Sequence, residues 1–255
     1  MFPYLQIPPL HLGPLTLYPF RTLVAMGVLV GYFTMMRRTR RAGLDSGRAA
    51  ALCVSTLIPG FLGAHWFKLL YQPGRLAADP WAFLRIMSGI SSFGGIAGGL
   101  AGVAIFFWSR PIPARQMWRY LDLLGYSFLC GMVFGRIGCF QAHDHPGFRT
   151  TSWLAVRYPG GARYDLALLE LIAIFALLAL FRMWARFGWP AGSYLGVVLV
   201  LYPAFRLWLD TLHEHPVRYW GISLDQLASA ACLAVGLAIL RSVSAKRSPP
   251  SPVGA

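Results

Sequence analysis

The sequence predicts an all-α fold, a polytopic membrane bundle of about seven transmembrane helices, and three observations carry that prediction. Apolar residues make up 56% of the 255-residue chain and charged residues only 13%. A water-soluble domain carries about 25% charged residues, so this chain lacks the polar surface that a soluble fold needs. The apolar residues also gather into stretches near the roughly 20 residues that cross a ~30 Å hydrocarbon core. Finally, 23 Lys and Arg against 9 Asp and Glu give a net charge of +14, and these cations sit mainly between the apolar stretches. On a soluble chain such an excess would suggest nucleic acid. In a chain this apolar it marks membrane topology and contact with anionic lipid, and no nucleic-acid partner is expected.

The spans are expected at about 15–36, 49–71, 89–109, 120–140, 165–187, 192–212 and 222–241, the second and fourth being weakest because they hold His65, Lys68 and Arg136. The first is a retained helix, because the cationic run Arg37-Arg38-Thr39-Arg40-Arg41 follows it, whereas a secretory signal has its cations in front. With the N-terminus outside, thirteen Lys and Arg fall in inner segments and six in outer loops, which supports N-outside, C-inside by the positive-inside rule. In the third span Gly94, Gly98 and Gly102 form a small-xxx-small face with Gly95 and Gly99 beside it, suited to close helix packing. Gly125, Gly131, Gly135 and Gly138 give the fourth span the same character. The four cysteines, Cys53, Cys130, Cys139 and Cys232, form no CxxC pair, so neither a disulfide framework nor a zinc knuckle is expected. Residues 1–243 are expected to form one transmembrane domain, and the Ser/Pro-rich segment 244–255 a disordered inner tail.

Charge inside a span is costly and points to function. Arg21 and Lys68 lie where they can snorkel to the interface. Arg136, in Gly135-Arg136-Ile137-Gly138-Cys139-Phe140, and Arg206, in Tyr202-Pro203-Ala204-Phe205-Arg206, are placed deeper. A guanidinium is a fixed fork of donors that matches phosphate oxygens, so both are candidate phosphate contacts. Asp210 follows Arg206 by one turn and shares its helix face. Glu170, early in the fifth span, needs a partner, and either arginine suits it. Four of the six histidines lie in two similar segments, His143-Asp144-His145-Pro146 and His213-Glu214-His215-Pro216, each just past an outer helix end. Imidazole beside carboxylate serves a general base or zinc, and polar interface loops use the same residues.

These features together resemble the bacterial prolipoprotein diacylglyceryl transferases. Seven spans, Gly94-Gly95 on the third, Gly135-Arg136-Ile137-Gly138 with a polar tail on the fourth, Gly147 beyond it, Glu170 on the fifth and Phe205-Arg206 followed by Asp210 on the sixth carry the likeness from about residue 15 to 241. The loop around Asp79-Pro80 is similar too. The resemblance implies a multi-pass enzyme of the bacterial cytoplasmic membrane. It would move the diacylglyceryl group of phosphatidylglycerol to the lipobox cysteine thiol of a prolipoprotein, with glycerol phosphate leaving. Arg136, Gly138, Cys139, Gly147, Glu170, Arg206 and Asp210 would then bind the lipid, with Asp210 as the acid partner of Arg206. The chain departs from the family where a His precedes Gly-Gly, here Phe93, where an Asn follows Gly-Arg-x-Gly, here Cys139, and where a first-span Tyr stands, here Phe20. The fifth-span motif keeps only Glu170. The base would be relocated to His143 or His145, oriented by Asp144, and no metal or cofactor is assigned. A related lipid-modifying enzyme with another acceptor, or a lipid- or lipoprotein-binding protein without turnover, are the alternatives.

Overall fold

In hydrocarbon a backbone N–H or C=O finds no water, so an apolar stretch can cross only as a helix that satisfies its own polar groups. A computed structural model of the chain, describing residues 1–70, 79, 81, 91–184, 187–213, 218–219 and 221–245, follows that rule. Its helices are α1 (Pro19–Arg41), α2 (Ser46–Leu70), α3 (Ser92–Ser109), α4 (Ala114–Ala142), α5 (Leu166–Trp184), α6 (Ser193–Asp210) and α7 (Leu224–Ala245). Six are long and apolar enough to span a bilayer; α3, with its apolar part at Gly94–Ser109, is shorter. The protein is a polytopic all-α membrane bundle. Leu29, Phe33, Ile58, Ile105 and Phe175 stand exposed on these helices, as expected where lipid is the solvent. The fourth span, expected to be weak because it holds Arg136, is the longest helix described, at 29 residues.

Short strands fill the connections: β1 (Leu10–Leu12), β2 (Leu15–Leu17), β3 (Pro146–Arg149), β4 (Val156–Tyr158), β5 (Gly161–Asp165), β6 (Arg218–Tyr219) and β7 (Ile222–Ser223). β3, β5 and β4 form an antiparallel sheet with β5 in the centre. The tail beyond residue 245, and the side chains of Lys68 and Phe93, lie outside the described residues.

The chain divides into two units, Met36–Tyr120, and Met1–Met35 with Leu121–Ala255. In the first, α2 and α3 approach backbone to backbone. A Cβ on Gly98 would lie 2.0 Å from the Pro59 carbonyl oxygen, and one on Gly102 1.8 Å from that of Ser55. The glycine face expected on the third span is thus a packing face. Ser91 caps α3, its hydroxyl accepting from the Gly94 N–H. At the other end of α3 and α2, Arg119 donates to the Ala42 carbonyl at 2.8 Å and Tyr120 to that of Asp45 at 3.1 Å.

In the second unit, Leu129, Val133, Ile174, Leu177, Phe181, Val197 and Val198 make the core of α4, α5 and α6. Gly27 of α1 and Gly131 of α4 meet so closely that a Cβ on either would lie 2.6 Å from the other's carbonyl oxygen. Asp122 on α4 binds the start of α6 by accepting from the N–H groups of Gly192 (2.7 Å) and Leu195 (2.9 Å). An anionic oxygen there satisfies donors that the first turn of a helix leaves free. Arg21 is exposed, its guanidinium 4.9 Å from the Tyr18 ring centroid.

Candidate functional site

Glu170 lies in the second turn of α5 and is completely buried. A carboxylate there survives only with compensation from its surroundings. Three residues supply it. Arg136 of α4 reaches Oε1 at 2.9 Å, Arg206 of α6 donates to Oε2 at 3.2 Å, and the Tyr202 hydroxyl donates to Oε1. Tyr202 stands one turn before Arg206 on α6, so that helix contributes two groups from one face. Two guanidinium groups thus converge on one buried carboxylate. The Glu170 side chain is 1% exposed, against 14% for Arg136 and 18% for Arg206. The cations, and not the acid, reach the accessible side. Two guanidinium forks on the accessible side of a buried acid are a geometry that matches phosphate oxygens.

Two expectations about partners change. Arg206 and Asp210 do share a helix face, yet among the described residues Arg206 pairs with Glu170. Asp210 accepts instead from the Ser223 hydroxyl at 3.0 Å. A long side chain can leave its own helix for a carboxylate on the next one, and Glu170 lies buried between α4 and α6.

The His143-Asp144-His145 segment is also rearranged. His143 follows the last residue of α4 with φ of 51°, a left-handed conformation costing a non-glycine residue about 1–2 kcal/mol. Its ring is turned inward. Nδ1 lies 3.0 Å from Asp165 Oδ2, Tyr4 stacks on the ring at 4.1 Å, and Phe140 and Tyr158 present edges to it. The acid that orients His143 is therefore Asp165, not Asp144. Asp165 also accepts from the Tyr158 hydroxyl (2.7 Å) and the Leu168 N–H (3.1 Å). Burial, and then the Asp165 carboxylate, pushes the Tyr158 phenol well above the usual tyrosine range, so it remains a donor. Asp144 and His145 stay on the accessible side, with Asp144 Oδ1 3.6 Å from His145 Nε2. Cys139 lies with them: its sulfur and their ligand atoms fall within 4.8 Å of one another.

The glycines serve close approach. A Cβ on Gly138 would press on Phe20 at 3.1 Å, and one on Gly147 would lie 2.9 Å from the Leu212 carbonyl oxygen. Gly147 bridges to His213, and the Phe148 N–H donates to Leu212. The two histidine-bearing segments do meet, backbone to backbone. Glu214 and His215 lie outside the described residues.

Asp165, Tyr158, Tyr4 and Tyr202 escaped the sequence reading. Two of them left a signal. Asp165 stands just ahead of an apolar run, as helix-capping residues do, and Tyr202 precedes Arg206 by four positions.

Comparison with known proteins agrees with this geometry. The family model described as prolipoprotein diacylglyceryl transferase matches residues 9–241. The chain is 26% identical over 261 residues to a phosphatidylglycerol–prolipoprotein diacylglyceryl transferase of Synechococcus elongatus, covering 95% of this chain and 89% of that one. It is 28% identical over 243 residues to a protein of the same name from Mannheimia succiniciproducens, with 88% of each chain covered. With one from Geobacillus kaustophilus the identity is 25% over 251 residues, covering 90% and 89%. A membrane bundle that buries one acid between two arginines, matched over nearly its whole length by one transferase family, is a member of that family: this chain belongs to the prolipoprotein diacylglyceryl transferases.

Proposed function

We propose that this protein transfers the diacylglyceryl group of phosphatidylglycerol to the lipobox cysteine thiol of prolipoproteins in the bacterial cytoplasmic membrane. The observation that carries the reading is the convergence of Arg136 and Arg206 on buried Glu170, with both guanidinium groups reaching the accessible side. Phosphatidylglycerol presents one phosphodiester anion at the depth where lipid meets water. Arg136 and Arg206 bind it, and Glu170 with Tyr202 holds both guanidinium groups in place.

In the reaction the acceptor sulfur attacks the diacylglyceryl carbon that carries the phosphate. The C–O bond breaks with its electron pair on the phosphate oxygen. The thiol proton is lost, and glycerol phosphate leaves. Negative charge grows on that oxygen beside two cations already held in position, and such preorganised donors are each worth about 2.7–4 kcal/mol of barrier. His145 is the accessible imidazole of the two once expected to act as base; His143 is clasped to Asp165. The relatives' names support both substrates, and the lysine and arginine distribution supports an outside N-terminus.

The test is transfer by the purified protein in phosphatidylglycerol micelles, with a lipobox peptide as acceptor and the thioether product read by mass. Complementation of a strain depleted of its own transferase provides the cellular arm. Product that disappears in Arg136→Ala supports the proposal. No product and no rescue from well-folded wild type overturns it. One residue, Phe93 at the position of the family's His, favours a second reading: lipid or lipoprotein binding without turnover, or another acceptor. Phosphatidylglycerol bound through Arg136 with no product would select it.

A further inference from the structure

We propose that Cys139, Asp144 and His145 form a zinc site whose open fourth position takes the acceptor thiol as a thiolate. The inference deepens the transferase reading and rests on it for the identity of that acceptor. Cys139 lies in the last turn of α4, and Asp144 and His145 follow its end. The left-handed turn at His143 reverses the chain between them, and the clasp of His143 to Asp165 and Tyr4 holds that turn. As a result one thiol, one carboxylate and one imidazole bring their ligand atoms within 4.8 Å of one another. In a tetrahedral zinc site with bonds of about 2.0–2.3 Å, ligand atoms stand about 3.3–3.8 Å apart. The Asp144–His145 pair is already at 3.6 Å, so only a small contraction toward the sulfur completes three sides of the tetrahedron.

The donor set suits the ion. Zinc is borderline-soft and takes sulfur, imidazole nitrogen and carboxylate oxygen together. Thiolate and carboxylate supply two negative charges against its two positive ones, a neutral centre at the edge of a membrane. Three protein ligands with one open position is the arrangement of catalytic zinc, where structural sites close all four.

The chemistry answers a gap in the proposed reaction. An acceptor thiol is mostly protonated at neutral pH, and His145, once it ligates zinc, is not free to take that proton. A thiol that binds zinc loses its proton outright. The acceptor S–H would bind at the open position and release its proton to water. The sulfur would then form its bond to the diacylglyceryl carbon while the C–O bond to phosphate breaks, both electrons leaving on glycerol phosphate. The product thioether, neutral and a poorer ligand, leaves the metal. Arg136 joins the two halves, since it pairs with Glu170 at 2.9 Å and precedes Cys139 by one turn of α4.

The experiment is metal analysis of full-length protein purified in detergent on a histidine-free tag, with cobalt as spectroscopic probe. Wild type is expected to retain about one zinc per chain. Its cobalt form should show a thiolate-to-metal charge-transfer band and the visible bands of tetrahedral cobalt, shifted by a lipobox peptide. Cys139→Ala and His145→Ala lose the metal and the band; Cys232→Ser, a thiol elsewhere in the bundle, keeps both. Elution of each variant as a monodisperse species shows that it has folded. Background metal in wild type, or a band that survives Cys139→Ala, overturns the site. Full transfer by metal-free protein overturns it too, while leaving the transferase reading intact. A Cys139-dependent band in a protein that transfers nothing supports the site and counts against the acceptor.

Discussion

Asp165 and Glu170 stand five residues apart at the start of the same helix. Both are almost fully buried, and each accepts from three groups. They do opposite work because their partners differ in charge. Asp165 gathers an imidazole, a phenol and a backbone N–H inside an aromatic cage, with no permanent cation among them. Glu170 gathers two permanent cations and a phenol, and those cations reach the accessible side. Burial alone therefore does not tell a binding centre from a structural clasp. The balance of charge around the buried group does.

The comparison can be broken most severely at its two acids. Glu170→Gln should cost about 3–5 kcal/mol, the penalty for stranding buried charges by removing one partner. Asp165→Asn should cost about 1–3 kcal/mol, the range for an impaired buried hydrogen bond. Thermal unfolding in detergent measures both, and an Asp165 loss equal to that of Glu170 would erase the distinction. Next come the cations. Arg136→Ala or Arg206→Ala should lower diacylglyceryl transfer about 10²–10³-fold with the fold kept. Lysine should not restore it, because it lacks the planar fork. His143→Asn retains a residue tolerant of the left-handed turn, and transfer should stay within about tenfold; a larger loss would move His143 from the clasp into the chemistry.

The smallest effect concerns pH. The Tyr158 phenol is raised in the folded protein. The neutral form is the one that the fold favours, so its contribution is complete below the ordinary phenol value of about 10 and is lost as pH rises beyond it. Unfolding measured between neutral and strongly alkaline pH should show that decline, and Tyr158→Phe, which cannot ionise, should flatten it.

The helices were legible because a bilayer demands long apolar runs, and six of the expected spans meet the requirement in the structure. Arg136, Arg206 and Glu170 were legible for the same reason: a charge in such a run is conspicuous. Who meets whom was read only in part: Glu170 was matched to Arg136 or Arg206 and meets both. Spacing favoured Asp210 for Arg206 and adjacency favoured Asp144 for His143. Both carboxylates lost to acids on another element, because tertiary packing offers partners that linear distance hides. Asp122 shows the same limit, since its work is to hold the start of a helix about 70 residues further along the chain. The strands are two to five residues long, too short to leave a period in the sequence.

The small sheet carries one more implication. Both of its outer strands are already engaged. Phe2 bridges β4 at Val156, and His213 bridges β3 at Gly147. Among the described residues each edge thus already has one main-chain neighbour, which competes with a peptide that would add as a further strand. Shielded edges of this kind make the small sheet a poor template for chain-to-chain pairing, a protection that a short exposed sheet otherwise lacks.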